Sequence, residues 1–200
     1  MVTEIKSVDP RVKRTRQLLQ QAFFDLMNEK SFRSISVQDI AERATVNRAT
    51  FYAHFEDKYA LLDSCIRESF QQLLTERLPA LSSLSSTNMH ILILTVFELI
   101  SQIHGGTCSP SHKQLDPLFE EAVQQELYKV LYDWLKHAVP VDANRTEQVE
   151  VTATAISWAI FGSAVRWSQS SRTLHKEEMA NRVMQVVNGG LSQVVSLAAE

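Results

Sequence analysis

The first helix is predicted by apolar residues that recur three or four positions apart: Leu18, Leu19, Ala22, Phe23, Leu26 and Met27. Asp9 followed by Pro10 has the form of an N-cap with proline at the first helical position. The pattern therefore predicts an amphipathic helix from this pair to about Asn28.

Three more helices are predicted at 36–44, 47–55 and 57–78. Each begins at a residue whose short polar side chain can accept a hydrogen bond from the first turn: Ser36, Asn47 and Asp57. The second and third helices are short and are separated by only Thr45 and Val46. The sequence therefore predicts two short helices joined by a tight turn, between two longer ones.

The remaining chain predicts four long helices, at about 88–104, 116–138, 144–170 and 175–198. Pro79 and the serine-rich segment that follows it indicate a connection, and Gly105-Gly106 ends the first of these helices. No stretch alternates apolar and polar residues as a strand does. The predicted fold class is therefore all-α.

The cysteine content and the lengths of the apolar runs indicate the cellular compartment. Cys65 and Cys108 are far apart and form no C-x-x-C motif, so we expect no disulfide and a reducing cytoplasm. No uninterrupted apolar run reaches the ~18 residues that span a bilayer. We therefore expect a soluble cytoplasmic protein without a membrane segment.

The net charge of −3 conceals an asymmetry. Residues 1–58 carry 10 Lys/Arg and 8 Asp/Glu (net +2), whereas residues 59–200 carry 10 and 15 (net −5). A basic end is often only a solvated tail, but it also suits a partner with negative charge.

The helix at 47–55 carries an unusual number of hydrogen-bond donors for its length: Asn47, Arg48, Thr50, Tyr52 and His54. Two short helices with a tight turn, the second exposing polar side chains, have the proportions of a helix-turn-helix. In that motif the second helix enters the major groove, where Arg, Asn and Thr reach base edges and Tyr and Lys reach phosphates. A DNA duplex therefore gives these donors a use.

The stretch SISVQDIAERATVNRATFYAHFEDKYALL at 34–62 resembles the DNA-binding domain of the bacterial TetR family. The family pattern runs roughly T-[VT]-x-x-I-A-x-x-A-G-V-[ST]-x-x-[TS]-x-Y-x-[HY]-F-x-x-K-x-x-L, and the resemblance covers about residues 11–65. It implies an N-terminal three-helix helix-turn-helix domain at 9–70. It also implies a C-terminal helical domain at 71–200 that dimerises and binds a small ligand.

The same resemblance implies DNA-contacting residues. Ser36 and Gln38 match the start of the second helix, and the matches to the base-facing part of the recognition helix are Asn47, Arg48, Ala49 and Thr50. The matches to phosphate-gripping positions are Tyr52, His54 and Lys58. The sequence departs from the pattern at Thr45, where the family most often has glycine. Because a β-branched residue tolerates positive φ poorly, this turn is expected to be strained or differently shaped.

Evidence for a ligand site in the second domain is weaker. The aromatic candidates are Phe97, Trp134, Trp158, Phe161 and Trp167, although aromatics at helical spacing are more often core residues. His104, Cys108 and His112 are spaced by four, but the intervening glycines and proline argue against a metal site. Two helices favour a subunit interface over ordinary core packing. The helix at 144–170 carries small residues at Ala153, Ala155, Ala159, Gly162 and Ser163, and the final helix carries apolar residues at Met179, Val183, Val186, Val187, Val194 and Val195.

These observations predict a cytoplasmic homodimeric repressor that binds a double-stranded DNA operator and leaves it when a small-molecule effector binds. A DNA-binding regulator without a ligand, constitutive or controlled by a protein, is the alternative. An enzyme is disfavoured because no nucleophile–base pair, phosphate loop or carboxylate cluster is found. No cofactor and no metal are expected.

Overall fold

The computed structural model describes residues 9–78, 83–104, 116–138, 143–170 and 174–197. Within these ranges the chain forms eight α-helices and no strand, which confirms the predicted all-α class. The helices are α1 (Pro10–Glu29), α2 (Val37–Arg43), α3 (Arg48–Tyr52), α4 (Lys58–Arg77), α5 (Ser86–His104), α6 (Asp116–Ala138), α7 (Ala143–Gln169) and α8 (Lys176–Leu197). Among the described residues, no helix has the length and apolar character required to cross a membrane.

The chain divides into two compact units, Met1–Cys65 and Ile66–Glu200. The first contains α1, α2, α3 and the first part of α4, and the second contains the remainder of α4 and α5 to α8. We call them the N-terminal unit and the C-terminal unit. The predicted boundary after residue 70, and the roles of the two parts, remain predictions.

The core of the N-terminal unit is formed by apolar side chains from every one of its helices and from a 3-10 turn at Phe32–Ser34: Leu19, Phe23, Phe32, Ile35, Ile40, Phe51 and Leu61. Each of these is at most 3% exposed. The rings of Phe23 and Phe32 meet edge to face at 6.0 Å. This shared core fixes the short helices, which would be marginal on their own.

The predicted N-caps are confirmed. The side chains of Asp9, Ser36 and Asn47 accept hydrogen bonds from the first turns of α1, α2 and α3. Asp57 Oδ1 accepts from the backbone N–H groups of Tyr59 and Ala60 at the start of α4, at 2.9 and 2.8 Å. Local sequence therefore sets where these four helices begin.

The predicted third helix is too long. The structure ends α3 at Tyr52 and uses Ala53 as its C-cap, so His54 lies in the turn before α4 and not on the recognition helix. The backbone N–H of His54 donates to Phe51 O at 2.9 Å, a tighter three-residue turn. Burial of Phe55 and the cap at Asp57 require the chain to turn here.

In the C-terminal unit, α5 packs against α6, α7 and α8. Its buried face consists of Leu92, Ile93, Val96, Phe97 and Ile100, all 0% exposed. Since α5 is covered on several sides, its sequence is apolar over most of its circumference. It begins at Ser86, two residues before the predicted start.

Candidate nucleic-acid interface

The turn between α2 and α3 is built around Thr45, whose φ is 57°. The N–H of Thr45 donates to Glu42 O at 3.0 Å, and the N–H of Val46 donates to Ala41 O at 2.9 Å. This pair of hydrogen bonds is the Schellman motif, which normally places glycine at the left-handed position. Threonine therefore adopts the glycine conformation here, and the family-type turn forms despite the substitution.

Helix α3 buries one side and exposes the other. Phe51 is 0% exposed and holds the helix in the core, while Asn47, Arg48 and Ala49 lie on the surface. Thr50 is half-buried, and Tyr52 is 47% exposed. The base-facing residues implied by the resemblance are thus on the outward side of α3, except that Thr50 lies at its edge.

Two of these side chains support each other. Arg48 Nη2 donates a hydrogen bond to the Tyr52 hydroxyl at 3.0 Å, and the guanidinium lies 5.5 Å from the centre of the Tyr52 ring. Asn47 Oδ1 accepts from the N–H of Ala49 at 2.9 Å, so in this structure the amide group caps α3 while its NH₂ stays available. The exposed face of α3 therefore carries a cation, a phenol and an amide.

Ser36 belongs to a capping box. Its Oγ accepts from Asp39 N at 3.1 Å, and its own N–H donates to Asp39 Oδ2 at 2.7 Å. Hydrogen bonds from Ser36, together with the Lys30 ammonium 3.0 Å away, lower the pKa of Asp39 to about 2. Gln38 is exposed on the first turn of α2, where its amide donates to Glu42. Both residues lie at the start of α2, as the resemblance implies.

Lys58 occupies an unexpected environment for a predicted phosphate contact. Its Nζ lies 2.9 Å from Phe32 O, 2.7 Å from Ile35 O and 3.3 Å from Arg33 O. Burial lowers the pKa of Lys58, while the charges of Asp39 and Asp57 oppose this shift. The ammonium therefore points at the backbone of the turn that precedes α2.

Arg16 connects the turn between α3 and α4 to neighbouring elements. Its Nη1 donates to His54 O at 3.3 Å, its Nη2 donates to Ser64 Oγ at 2.8 Å, and its guanidinium lies 4.4 Å from the centre of the Phe55 ring. Sequence reasoning counted Arg16 only as part of a basic end. Neither its partners nor those of Lys58 could be identified from spacing, since they lie more than 20 residues away along the chain.

The aromatic ligand candidates occupy different environments. Phe97, Trp134, Phe161 and Trp167 are buried, and the rings of Phe97 and Trp167 are 5.5 Å apart. Trp158 is 56% exposed and meets Phe161 edge to face at 5.9 Å. These last two line an open groove of about 440 Å³ between α6 and α7, whose other walls are Pro117, Glu120, Glu121, Gln124 and Gln125.

Exposed apolar residues follow one side of α7 at helical spacing: Val151, Ala155, Trp158, Ala159 and Gly162. We call this set the α7 stripe. Val151 is 63% exposed, and a Cβ added at Gly162 would meet nothing within 4 Å. On α8, Val186 is 71% exposed. The small residues predicted for an interface divide between surface and core, since Ala153 is fully buried.

Sequence reasoning missed a buried carboxylate in the C-terminal unit. Glu126 on α6 is 2% exposed. Its Oε1 accepts hydrogen bonds from Arg67 at 2.8 Å and from Lys129 at 2.6 Å, and its Oε2 accepts one from Gln71 at 2.8 Å. Arg67 also donates to Gln125 at 2.6 Å. We call these five residues the α4–α6 clasp. The sequence places Arg67 and Gln71 four residues apart, on one side of α4. It does not identify their partner, which lies 59 and 55 positions away.

The possible metal cluster of His104, Cys108 and His112 lies outside the residues whose side chains are described. Among those that are described, no group of three or more His, Cys, Asp or Glu side chains is arranged to hold a metal ion.

Two short helices joined by a left-handed turn, the second with a polar outward face, define a helix-turn-helix motif. Residues 19–65 match the family model described as "Bacterial regulatory proteins, tetR family". Residues 19–65 therefore form a DNA-binding domain of the TetR type.

Relatives differ in how much of the chain they match. The uncharacterized HTH-type transcriptional regulator YxbF of Bacillus subtilis is 40% identical over 70 residues, which are 34% of this chain and 18% of that protein. The HTH-type transcriptional repressor KstR2 of Mycolicibacterium smegmatis is 25% identical over 194 residues, covering 90% of this chain and 91% of its own. The chain thus spans less than a fifth of the first of these relatives.

A solved structure shares the fold. The TetR family repressor AlkX from Dietzia sp. strain DQ12-45-1b, implicated in biodegradation of n-alkanes, superimposes with a TM-score of 0.55 at 14% identity. The superposition covers 88% of this chain and 97% of that chain. This likeness concerns the fold alone.

Proposed function

We propose that the protein is a homodimeric, ligand-responsive repressor that places α3 in the major groove of a DNA operator in the cytoplasm. The observation that carries this proposal is the outward polar face of α3, held by Phe51 in a closed core and joined to α2 by the Thr45 turn. The full-length similarity to a repressor supports repression. The proposal involves no enzymatic activity and no cofactor.

In this proposal Asn47, Arg48, Ala49 and Thr50 face the bases. Arg48 supplies two N–H donors in the geometry that matches the O6 and N7 acceptors of guanine. Tyr52 and His54 lie toward the phosphates, and Ser36 and Gln38 meet the opposite wall of the groove. Lys58 was predicted to hold phosphate as well, but its ammonium faces the carbonyl groups of the turn before α2.

A second copy of the chain is the proposed occupant of the α7 stripe. One recognition helix reads only a few base pairs, so specific binding needs two helices spaced to meet successive major grooves, about 34–36 Å or a multiple apart. The stripe leaves Val151 and Trp158 in solvent, as does Val186 on α8, and burial of these side chains would stabilise an assembly. A dimer through α7 and α8 would then set the operator spacing.

The effector is proposed to bind the C-terminal unit. Of the five aromatic candidates, Trp158 and Phe161 have the groove between α6 and α7 beside them, whereas Phe97 and Trp167 pack on each other in the core. Effector contact is therefore assigned first to Phe161 and Trp158. Because Trp158 also belongs to the α7 stripe, the effector groove is proposed to adjoin the subunit interface at this residue.

Selection of bound sequences from a random pool of duplexes tests the DNA-binding proposal directly. A two-fold symmetric consensus is the expected result, and recovery of random sequences at every salt concentration would refute it. A thermal-shift screen of small molecules tests the effector. A compound that stabilises the protein is expected to weaken operator binding, whereas stabilising compounds that leave operator affinity unchanged would favour a regulator without a ligand.

A further inference from the structure

We propose that Lys58 is a positioning residue, which fixes the turn before α2 and thereby aims Ser36 and Gln38 at DNA without holding a phosphate itself. The inference rests on the proposed function. It gives Lys58 a different role from the one that its position at the start of α4 predicts.

The three N–H groups of the ammonium all have partners within one turn. The carbonyl oxygens of Phe32, Arg33 and Ile35 converge on Nζ at 2.9, 3.3 and 2.7 Å. An ammonium has three donors and no acceptor, so this set uses its full capacity. The Phe32 ring adds a cation–π contact, with its centre 4.6 Å from Nζ.

Reaching a phosphate would require Lys58 to leave this environment. Ile35 is 1% exposed, so its carbonyl group would lose the ammonium as a partner next to a closed core, while Phe32 O would retain the N–H of Ile35 at 3.2 Å. The cation–π contact would be lost as well. The geometry therefore favours an ammonium that stays in place when DNA binds.

The peptide unit that leads into α2 is fixed on both sides. Its carbonyl oxygen, that of Ile35, accepts from Lys58 at 2.7 Å, and its N–H, that of Ser36, donates to Asp39 Oδ2 at 2.7 Å. Asp39 is in turn held by Lys30 at 3.0 Å. The position of Ser36 relative to the first residue of α4 thus depends on Lys58, and Gln38 follows two residues later in the first turn of α2.

Salt dependence separates the two roles. Loss of a phosphate contact lowers the slope of log K against log salt by about 0.9. With an operator duplex recovered by selection, Lys58→Met is expected to weaken binding about tenfold while the slope stays that of the wild type. A slope reduced by about one unit would overturn the proposal.

Lys58→Arg is the matched variant. It keeps the positive charge, so a phosphate contact would survive it, but a planar guanidinium cannot direct three donors at three convergent carbonyls. We expect Lys58→Arg to lose affinity with an unchanged slope, and wild-type affinity would contradict us. A double-mutant cycle with Ser36→Ala should be non-additive, whereas strict additivity would exclude an action through Ser36.

A measurement on the wild type covers the case in which the variants do not fold. The NMR resonance of the Lys58 ammonium should be observable in the free protein and should keep its chemical shift on the operator. A coupling between this nitrogen and a DNA phosphorus would overturn the proposal. If selection recovers no operator, the proposed function fails, whereas an operator bound with a phosphate-coupled Lys58 refutes this inference alone.

Discussion

Arg48 is the residue on which base recognition should depend most. Replacement by alanine removes a bidentate donor and is expected to cost about 1–3 kcal/mol at one base position and to flatten the preference there. Titration of the variant on the selected operator and on duplexes changed at single positions measures this. Equal losses on every sequence would remove Arg48 from base recognition.

Arg43 provides a matched control for this prediction. It is also an exposed arginine of the N-terminal unit, but its guanidinium forms two hydrogen bonds with the Glu29 carboxylate, at 2.8 and 2.7 Å. Because this pair is on the surface, Arg43→Ala should leave the midpoint of thermal unfolding nearly unchanged. It should leave the order of preferred bases unchanged.

Thr45→Gly should be neutral or stabilising. A residue with a Cβ atom costs roughly 1–2 kcal/mol at positive φ, while glycine loses about 0.5–1 kcal/mol through the greater entropy of the unfolded chain. The φ of 57° places Thr45 where these two effects oppose each other. Thermal and urea unfolding measure the difference.

Thr45→Ala separates strain from side-chain contacts. Alanine retains the Cβ atom and removes the rest of the side chain, so it should fall below the glycine variant in stability. A glycine variant less stable than the alanine variant would mean that left-handed strain does not govern this turn.

Residue roles were predictable from sequence where the partners are local. Asn47 and Ser36 cap helices that begin at the next residue, so their environment follows from a few neighbouring letters. Lys58 shows the limit of this reasoning, because its partners are backbone carbonyls 23 to 26 positions away. A motif records that lysine occurs there, but not which oxygen atoms face it.

At the scale of elements, the α4–α6 clasp is the polar contact between helices that is expected to contribute most to the free energy of unfolding. Glu126→Leu leaves Arg67 and Gln71 without their carboxylate partner, and breaking a buried ion pair costs about 3–5 kcal/mol. Urea unfolding of the C-terminal unit measures this loss. The double variant Arg67→Met with Glu126→Leu should recover much of it, because apolar pairs often replace buried ion pairs without loss.

The exposed pair of Glu178 and Arg182 on α8 is the control for the clasp. Its side chains are 52% and 60% exposed, and its separation of 2.8 Å equals that of Glu126 and Arg67. Glu178→Leu should therefore cost no more than about 0.5 kcal/mol. Similar losses for the two glutamates would show that burial does not strengthen the clasp.

The clasp also has an expected pH dependence. Burial raises the pKa of Glu126, but hydrogen bonds from Lys129, Arg67 and Gln71 outweigh it and leave the pKa below its ordinary value of 4.5. The stabilisation is thus complete above that value and is lost as the pH falls through the folded-state pKa. The stability difference between wild type and Glu126→Leu should narrow in acid.

Element positions were predictable to within a few residues because apolar spacing and caps are local properties. The end of α3 was the exception: nothing in 47–55 stops a helix, and the turn depends on burial of Phe55 and on the next cap at Asp57. Tertiary packing decided that boundary. The α4–α6 clasp was unpredictable for a related reason, since residues 59 positions apart meet there.

For the whole molecule, Gly162→Leu tests whether the α7 stripe is the subunit interface. A side chain at this position has free space in the protomer, so the fold should be retained while a partner helix is kept away. We expect a shift toward monomer in sedimentation and operator binding weakened by about 10²–10⁴ as bivalency is lost. A variant that remains dimeric and binds normally would place the interface elsewhere.

Ala138→Leu is the corresponding control, because it also adds an apolar side chain at an exposed position but lies at the end of α6. It should sediment as the wild type does. Loss of dimers in both variants would mean that dissociation does not depend on a contact made by α7.

Helix α4 belongs to both units, with Lys58 at one end and Arg77 at the other. If the effector displaces its far end, effector and operator weaken each other by the same factor, with a coupling free energy of order 1–3 kcal/mol. The clasp holds α4 to α6 within the C-terminal unit, so its variants should alter this coupling as well as stability.

The unequal burial of the three tryptophans has an optical consequence. Trp134 and Trp167 are 2% and 9% exposed and should emit at short wavelength, whereas Trp158, at 56%, should supply the red edge of the spectrum and nearly all quenching by iodide. Assembly through the α7 stripe would shift that red component to the blue and shield it from the quencher. The protein therefore contains an intrinsic fluorophore at the surface where subunits are proposed to meet, and dissociation of the dimer on dilution can be followed without any label.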